Sequence, residues 1–242
     1  MAEQIDLELA SSAPRLKIAM VAYPDLTVLD LVGPHAVFST TSDTSIVGAT
    51  LDPVMGDAGG LAIVPTTTYA DCPDDLDVLV VPGGRGALGA LQDVELLDFL
   101  RDRAGRARYV TAVCSGTLVL GAAGLLTGYR ATTHWASHDT LSVFEGVTAV
   151  RERVVIDGNR VTGGGVTAGI DFGLTLLAEL RGAEVAQLNQ LLMEYDPQPP
   201  FSSGSEATAP PAVAALARTL FGPYNAAVDE AARQSFGAIA VR

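Results

Sequence analysis

The chain is poor in most of the features that mark specialised protein classes. Of its 242 residues only Cys72 and Cys114 are cysteine, too few for a disulfide framework or a cysteine-rich zinc site. Basic residues are also scarce: 15 Lys and Arg against 28 Asp and Glu leave a net charge of -13. A phosphate backbone repels such a chain, so no nucleic-acid partner is expected. No apolar run approaches the length of a membrane span. The stretch from Met1 to Pro14 carries acids and no apolar core, so it does not read as a signal peptide. Residues 1–14 are expected to be a disordered leader, and the protein to be cytoplasmic with no membrane partner. Metal-ligand spacing is missing too. His134 and His138 stand four apart, but no glutamate follows His134 as in His-Glu-x-x-His. Both read as packed or surface histidines, and no metal is expected.

What is present is organised around residues 108–126. Tyr109-Val-Thr-Ala-Val113 is β-branched and apolar, as suits a strand buried on both faces. Thr117 to Leu126 is rich in Leu and Ala, as suits a helix. Cys114 sits where one becomes the other, followed by Ser115 and Gly116. A nucleophile at such a turn is lifted out of the sheet beside unpaired helix N–H groups. Those groups and the helix dipole favour a thiolate, so the cysteine pKa is expected to fall. Taken alone, Cys114 reads more readily as a small core residue, and the other motifs reverse that preference.

The rest of the chain alternates strands and helices. Leu16 to Tyr23 reads as a first buried strand, Thr44 to Thr50 as a second, and Leu61 to Val64 as part of a hairpin. Asp77 to Val81 is another buried strand, ending in Pro82-Gly83-Gly84, where a backbone can approach a ligand closely. Gly163-Gly-Gly-Val-Thr-Ala-Gly169 repeats the theme of strand, glycines and helix. Helices are expected over 91–103, 137–144, 170–180 and 183–193. Pro, Ser, Gly and Thr dominate residues 196–211, and a short final helix is expected over 212–220. The domain division is then a leader over 1–14, an α/β domain over 15–196, and an arm with a C-terminal helix over 197–242. The alternation predicts a doubly wound, mostly parallel sheet sandwiched by helices, with ligands at the strand C-terminal ends. The turns near positions 83, 114 and 164 would converge on one crevice. Asp30 is an outlier, a carboxylate flanked by Leu29 and Leu31. A charge there must cap, pair or work. As a cap it would serve a helix beginning at Leu31.

Five segments occur in a telling order: Leu29-Asp-Leu-Val-Gly-Pro34, Val81-Pro-Gly-Gly84, Val113-Cys-Ser-Gly116, Ala131-Thr-Thr-His-Trp135 and Thr162-Gly-Gly-Gly-Val-Thr-Ala-Gly-Ile-Asp171. As a set they resemble the class I glutamine amidotransferase-like superfamily, in its isonitrile hydratase branch, from about Leu16 through Phe201. The resemblance implies a flavodoxin-like sheet and a homodimer, and the chemistry it points to requires no cofactor. It implies Cys114 as nucleophile, Asp30 as acid/base, and Ser115 where the branch often carries threonine. It also implies Gly84, beside Gly83, as a glycine whose N–H faces the site. Val166 and Thr167 fall in the loop that packs against the sulfur. Protease-like members carry histidine after the cysteine, and deglycase-like members use glutamate on the first-strand side. Ser115 and Asp30 depart from both patterns.

The residues suit the implied chemistry. An isonitrile, R–N≡C, exposes an electrophilic carbon, and thiol addition gives a thioimidate that water converts to an N-substituted formamide. Asp30 can exchange protons if burial raises its pKa. Backbone N–H groups at Gly84 and Ser115 would each contribute about 3 kcal/mol to holding developing charge if well aimed. Two alternatives remain. The elbow and Ala131-Thr-Thr-His-Trp135 also resemble the sensing half of certain transcription regulators, although the residues after Phe201 are too few and too poor in Lys and Arg for their DNA-binding module. A glyoxalase- or deglycase-like activity on small aldehydes is the other.

Overall fold

The computed structural model describes residues 13–239, so the leader expected over 1–14 lies almost wholly outside the described residues. Strand β1 (Leu16–Val21) exposes only Lys17, whereas β6 (Val78–Val81) and β7 (Tyr109–Val113) are buried at every position. Apolar runs of this kind are stable only at the middle of a covered sheet. That is where they lie. With β2 (Ser42–Gly48), β5 (Thr67–Thr68), β10 (Val154–Asp157) and β11 (Arg160–Gly163) they form a seven-stranded sheet in the order β10-β11-β7-β6-β1-β2-β5. All pairs are parallel except the β10–β11 hairpin at one edge. The expected doubly wound sheet is therefore present. Four further short strands stand outside it: β3 (Val54–Met55) and β4 (Ala62–Ile63) pair antiparallel, as the hairpin reading requires, and β8 (Arg130–Ala131) pairs with β9 (Thr148–Ala149).

The register aligns the C-terminal ends of the central strands. Met20 lies opposite Val80, Val81 opposite Ala112, and Val113 opposite Gly163. The loops that leave these ends therefore meet at one place, as expected for the turns near 83, 114 and 164. Helix α1 (Val28–Phe38) packs against α5 (Ala168–Arg181), and α6 (Ala183–Leu192) packs against α5. A second set comprises α2 (Ala87–Ala90), α3 (Val94–Ala104) and α4 (Gly116–Ala122). Helix α3 starts later than the expected Leu91, because the Asp93 side chain accepts from Leu96 N at 3.1 Å and caps it there. Residues 135–143 form a 3-10 helix, where an α-helix over 137–144 was expected.

The largest departure is at the C-terminus. The short helix expected over 212–220 is a long one, α7 (Pro211–Ile239), running through Gly222 and Pro223. It packs along the 3-10 helix, with Val228, Ala231 and Ala232 buried. Asn225 Nδ2 donates to Ala136 O at 2.6 Å, and Thr140 Oγ1 donates to the Asp229 carboxylate. These tertiary contacts outweigh the local tendency of Gly-Pro to stop a helix.

Candidate active site

Cys114 occupies the turn from β7 into α4 at φ +58°, a region that non-glycine residues rarely adopt. Three hydrogen bonds secure the turn. The Cys114 N–H is shared between Gly163 O at 3.0 Å and Gly164 O at 3.2 Å, and Cys114 O accepts from Thr133 Oγ1 at 2.7 Å. The elbow is thus built as expected, and Cys72 lies elsewhere, its carbonyl held by Arg103. The expected fall in thiol pKa is not found. Burial, and then the negative charge of Asp30, push the Cys114 thiol well above its ordinary value, and the Ser115 N–H pulls it only partly back. A dry site beside a carboxylate outweighs a helix terminus here.

Asp30 is fully buried, at the third position of α1. The helix begins at Val28 with Thr27 at its N-cap position, so Asp30 does not cap a helix starting at Leu31. Its Oδ2 accepts from Gly83 N at 3.1 Å, and its Oδ1 has no hydrogen-bond partner. Burial raises the carboxyl pKa to about 7, opposed by the Cys114 thiol and the Gly83 N–H and aided slightly by the charge of Asp57. Thiol and carboxyl are therefore buried neighbours, each acting on the other's pKa. Gly83 serves this pair through its N–H.

The Gly84 amide is not aimed at substrate space, contrary to expectation. Its N–H donates to Ser115 Oγ at 2.9 Å, and Ser115 Oγ donates to Gly84 O at 3.1 Å. This reciprocal clasp ties the two loops together and leaves the Ser115 N–H, beside the sulfur, as the backbone donor of the elbow. Gly84 itself must be glycine: its φ is +128°, and a Cβ would lie 2.5 Å from Asp25 O. Val166 lines the pocket, as expected. Thr167 does not, because it is exposed at the N-cap of α5.

Above the sulfur lies a cavity of about 340 Å³, lined by Thr27, Asp57, Ala58, Gly84, Arg85, Cys114, Ser115, His134, Ser137, Val166, Phe221 and Tyr224. That is the size of a small-molecule site. The Thr27 hydroxyl donates to Asp57 Oδ2 at 2.6 Å, and Arg85 donates to the Asp57 carbonyl. His134 Nδ1 accepts from Ala136 N at 3.3 Å, and burial lowers its pKa, so it faces the cavity as a neutral ring. His138 is buried apart from it. Among the described residues no three of His, Cys, Asp and Glu gather so as to hold a metal ion. Phe221 and Tyr224 come from α7 and had no sequence signal, since Phe221-Gly-Pro-Tyr224 reads as the end of a helix. The Phe221 ring stands 5.3 Å from that of His134 and 5.8 Å from that of Trp135, and Tyr224 OH donates to Gly84 O at 3.0 Å.

The chain is similar to known proteins over most of its length. The DJ-1/PfpI family model matches residues 16–179. The isonitrile hydratase of Pseudomonas putida is 53% identical over 210 residues, 86% of this chain and 91% of that protein. A crystal structure of a THiJ/PfpI family protein from Pseudomonas syringae superposes with a TM-score of 0.90 at 48% identity, covering 96% of this chain and 97% of that one. The HTH-type transcriptional regulator GbdR of Pseudomonas aeruginosa is 34% identical over 138 residues, but this chain spans only 37% of its length. The strand order, the cysteine elbow and the matched stretch together establish that the chain belongs to the DJ-1/PfpI family.

Proposed function

We propose that the chain is an isonitrile hydratase that converts R–N≡C and water into the N-substituted formamide R–NH–CHO, with Cys114 as nucleophile and Asp30 as acid/base. The observation that carries the reading is the buried Cys114–Asp30 pair at the foot of a small, largely apolar cavity. A thiol with a raised pKa is a poor nucleophile at neutral pH unless a base takes its proton as it attacks. Asp30, with a pKa of about 7, is matched to that task. The P. putida relative carries the same activity in its name.

The steps balance as follows. The Cys114 sulfur bonds to the terminal carbon of the isonitrile while its proton passes through Asp30 to that same carbon, giving the thioimidate S–CH=N–R. Water then adds to the carbon, one water proton goes to Asp30, and the C=N electron pair moves to nitrogen, which takes its proton from a donor group lining the cavity. The hydroxyl proton of the tetrahedral adduct returns to that same donor as the formamide C=O forms, the C–S bond breaks, and the thiolate recovers the proton held by Asp30. The Ser115 N–H beside the sulfur supports the elbow through these charge changes. Ser115 Oγ and the Gly83 N–H act as positioning groups, holding the loop and the carboxylate.

The cavity suits a compact, uncharged R group, with Val166, Ala58, Phe221 and neutral His134 around it. No helix among the described residues is long and apolar enough to cross a membrane. We further propose a homodimer: sedimentation is expected to give about twice the 25.0 kDa chain mass, and a monomer at micromolar concentration contradicts it. The direct test of the function is to offer the protein cyclohexyl isocyanide and, separately, methylglyoxal. Formamide from the first and no turnover of the second are expected. Turnover of the aldehyde alone overturns the reading.

A further inference from the structure

Hydration of the thioimidate leaves one proton without a named source. When water adds to the carbon, the nitrogen must take up a proton. Asp30 is fully buried beneath the elbow and already receives the proton of the attacking water. Ser115 Oγ is engaged with both the N–H and the carbonyl of Gly84. His134 lines the cavity as well, its ring tilted against that of Phe221 at 5.3 Å and its Nδ1 taken by the Ala136 N–H.

Tyr224 is placed differently. It projects from α7, lines the cavity together with Cys114 and Ser115, and donates its hydroxyl proton to Gly84 O at 3.0 Å. That carbonyl also accepts from Ser115 Oγ at 3.1 Å. Tyr224 can therefore redirect its proton into the cavity without leaving a buried carbonyl unpaired, because Ser115 keeps its own bond there. We propose that Tyr224 is a catalytic residue of this site, donating a proton to the substrate nitrogen during hydration of the thioimidate. This inference rests on the isonitrile hydratase reading above.

The step is balanced within the cycle already described. As the C=N electron pair moves to nitrogen, an N–H bond forms and the phenol O–H bond breaks. When the adduct collapses, its hydroxyl proton goes to the phenolate and restores the phenol, while the thiolate takes the proton from Asp30. Burial holds the Tyr224 pKa at about 12, so the group is a donor throughout the working range and never a resting base. The residue also lies outside residues 16–179, the stretch that matches the family model. The proposed proton donor is thus supplied by α7, and the stretch that matches the family model supplies the cysteine elbow.

The test is Tyr224→Phe, which keeps the ring and removes the proton. Alkylation of Cys114 by iodoacetamide at the wild-type rate verifies that the elbow is intact. Steady-state turnover of cyclohexyl isocyanide is expected to fall about a hundredfold, and intact-protein mass spectrometry is expected to find the variant carrying one isonitrile mass as thioimidate. A residue that merely braces the loop would slow both halves of the reaction without accumulating the adduct. Wild-type turnover in the variant, or slow turnover without the adduct, overturns the inference while leaving the proposed function standing. Absence of formamide with the wild-type protein removes the proposed function and this inference with it.

Discussion

A Cβ built on Gly165 would stand 2.6 Å from Cys114 Sγ and 2.7 Å from His134 Cδ2. Contacts that short do not persist, so either the sulfur or the loop must move. Gly165 keeps open the space directly above the nucleophile. Gly165→Ala is expected to slow iodoacetamide labelling of Cys114 and to reduce isonitrile turnover at least about tenfold, since a displacement near 1 Å is enough to misalign reacting groups. Labelling and turnover at wild-type rates would show that the loop gives way at no cost.

The Asp30 carboxyl gives the site its pH dependence. Its pKa is raised by burial to about 7, and the carboxylate form accepts the thiol proton. The value of kcat/KM for the free enzyme should therefore rise with pH through about 7. Asp30→Asn should flatten that profile and lower turnover by two to four orders of magnitude, roughly the contribution of a positioned acid/base group. A pH–rate profile of the variant that keeps the wild-type shape would contradict the assignment.

The same shift has a sign for stability. An acid whose folded pKa lies above its unfolded value holds its proton longer in the folded state, so the unfolded state binds fewer protons between the two values. Stability contributed by Asp30 is full below about pH 4 and is lost as pH rises to about 7, beyond which the loss is complete. Asp30→Asn has no proton to lose and removes this dependence. Denaturant melts at pH 4.5 and pH 8 should find the variant gaining on wild type at the higher pH. A constant difference between the two proteins would contradict a raised folded pKa.

Phe221 is expected to limit the size of the acceptable R group. It closes the cavity against His134 and Trp135 from α7 and is itself 36% exposed, so removing the ring opens the pocket toward solvent. Phe221→Ala is expected to raise kcat/KM for a bulky isonitrile relative to a small one by about tenfold or more, the scale of lost or gained apolar contact in a pocket. Rates for tert-butyl and naphthyl isonitriles measured side by side check this. An unchanged ratio would place the substituent elsewhere.

The central sheet and the elbow were legible because local pattern and tertiary role agree there. Val78–Val81 and Tyr109–Val113 are apolar at every position because both faces are covered, and the residues after them turn because the ends of parallel strands must. Asp30 stood out as a charge among apolar neighbours, a signal of burial that needs no partner to be seen. The electrostatics of Cys114 were not legible. Helix position suggested a lowered pKa, whereas the outcome depends on a carboxylate 84 positions earlier and on exclusion of water. Gly84 likewise looked like a free donor until Ser115 was seen to take its N–H. Phe221 and Tyr224 were hidden by Gly222 and Pro223, whose local preference for a break is overridden by contacts with Ala136, Thr140 and Gly84 far away in the chain.

The central claim is that Cys114 turns over isonitriles, and one comparison tests it most directly. Wild-type protein, Cys114→Ala and Cys72→Ala are each incubated with cyclohexyl isocyanide, and the formyl proton of N-cyclohexylformamide is followed by NMR. Wild type and Cys72→Ala should produce the signal at matching rates, and Cys114→Ala, with an unchanged circular dichroism spectrum, should produce none. Formamide formed by Cys114→Ala at a substantial fraction of the wild-type rate would contradict the account.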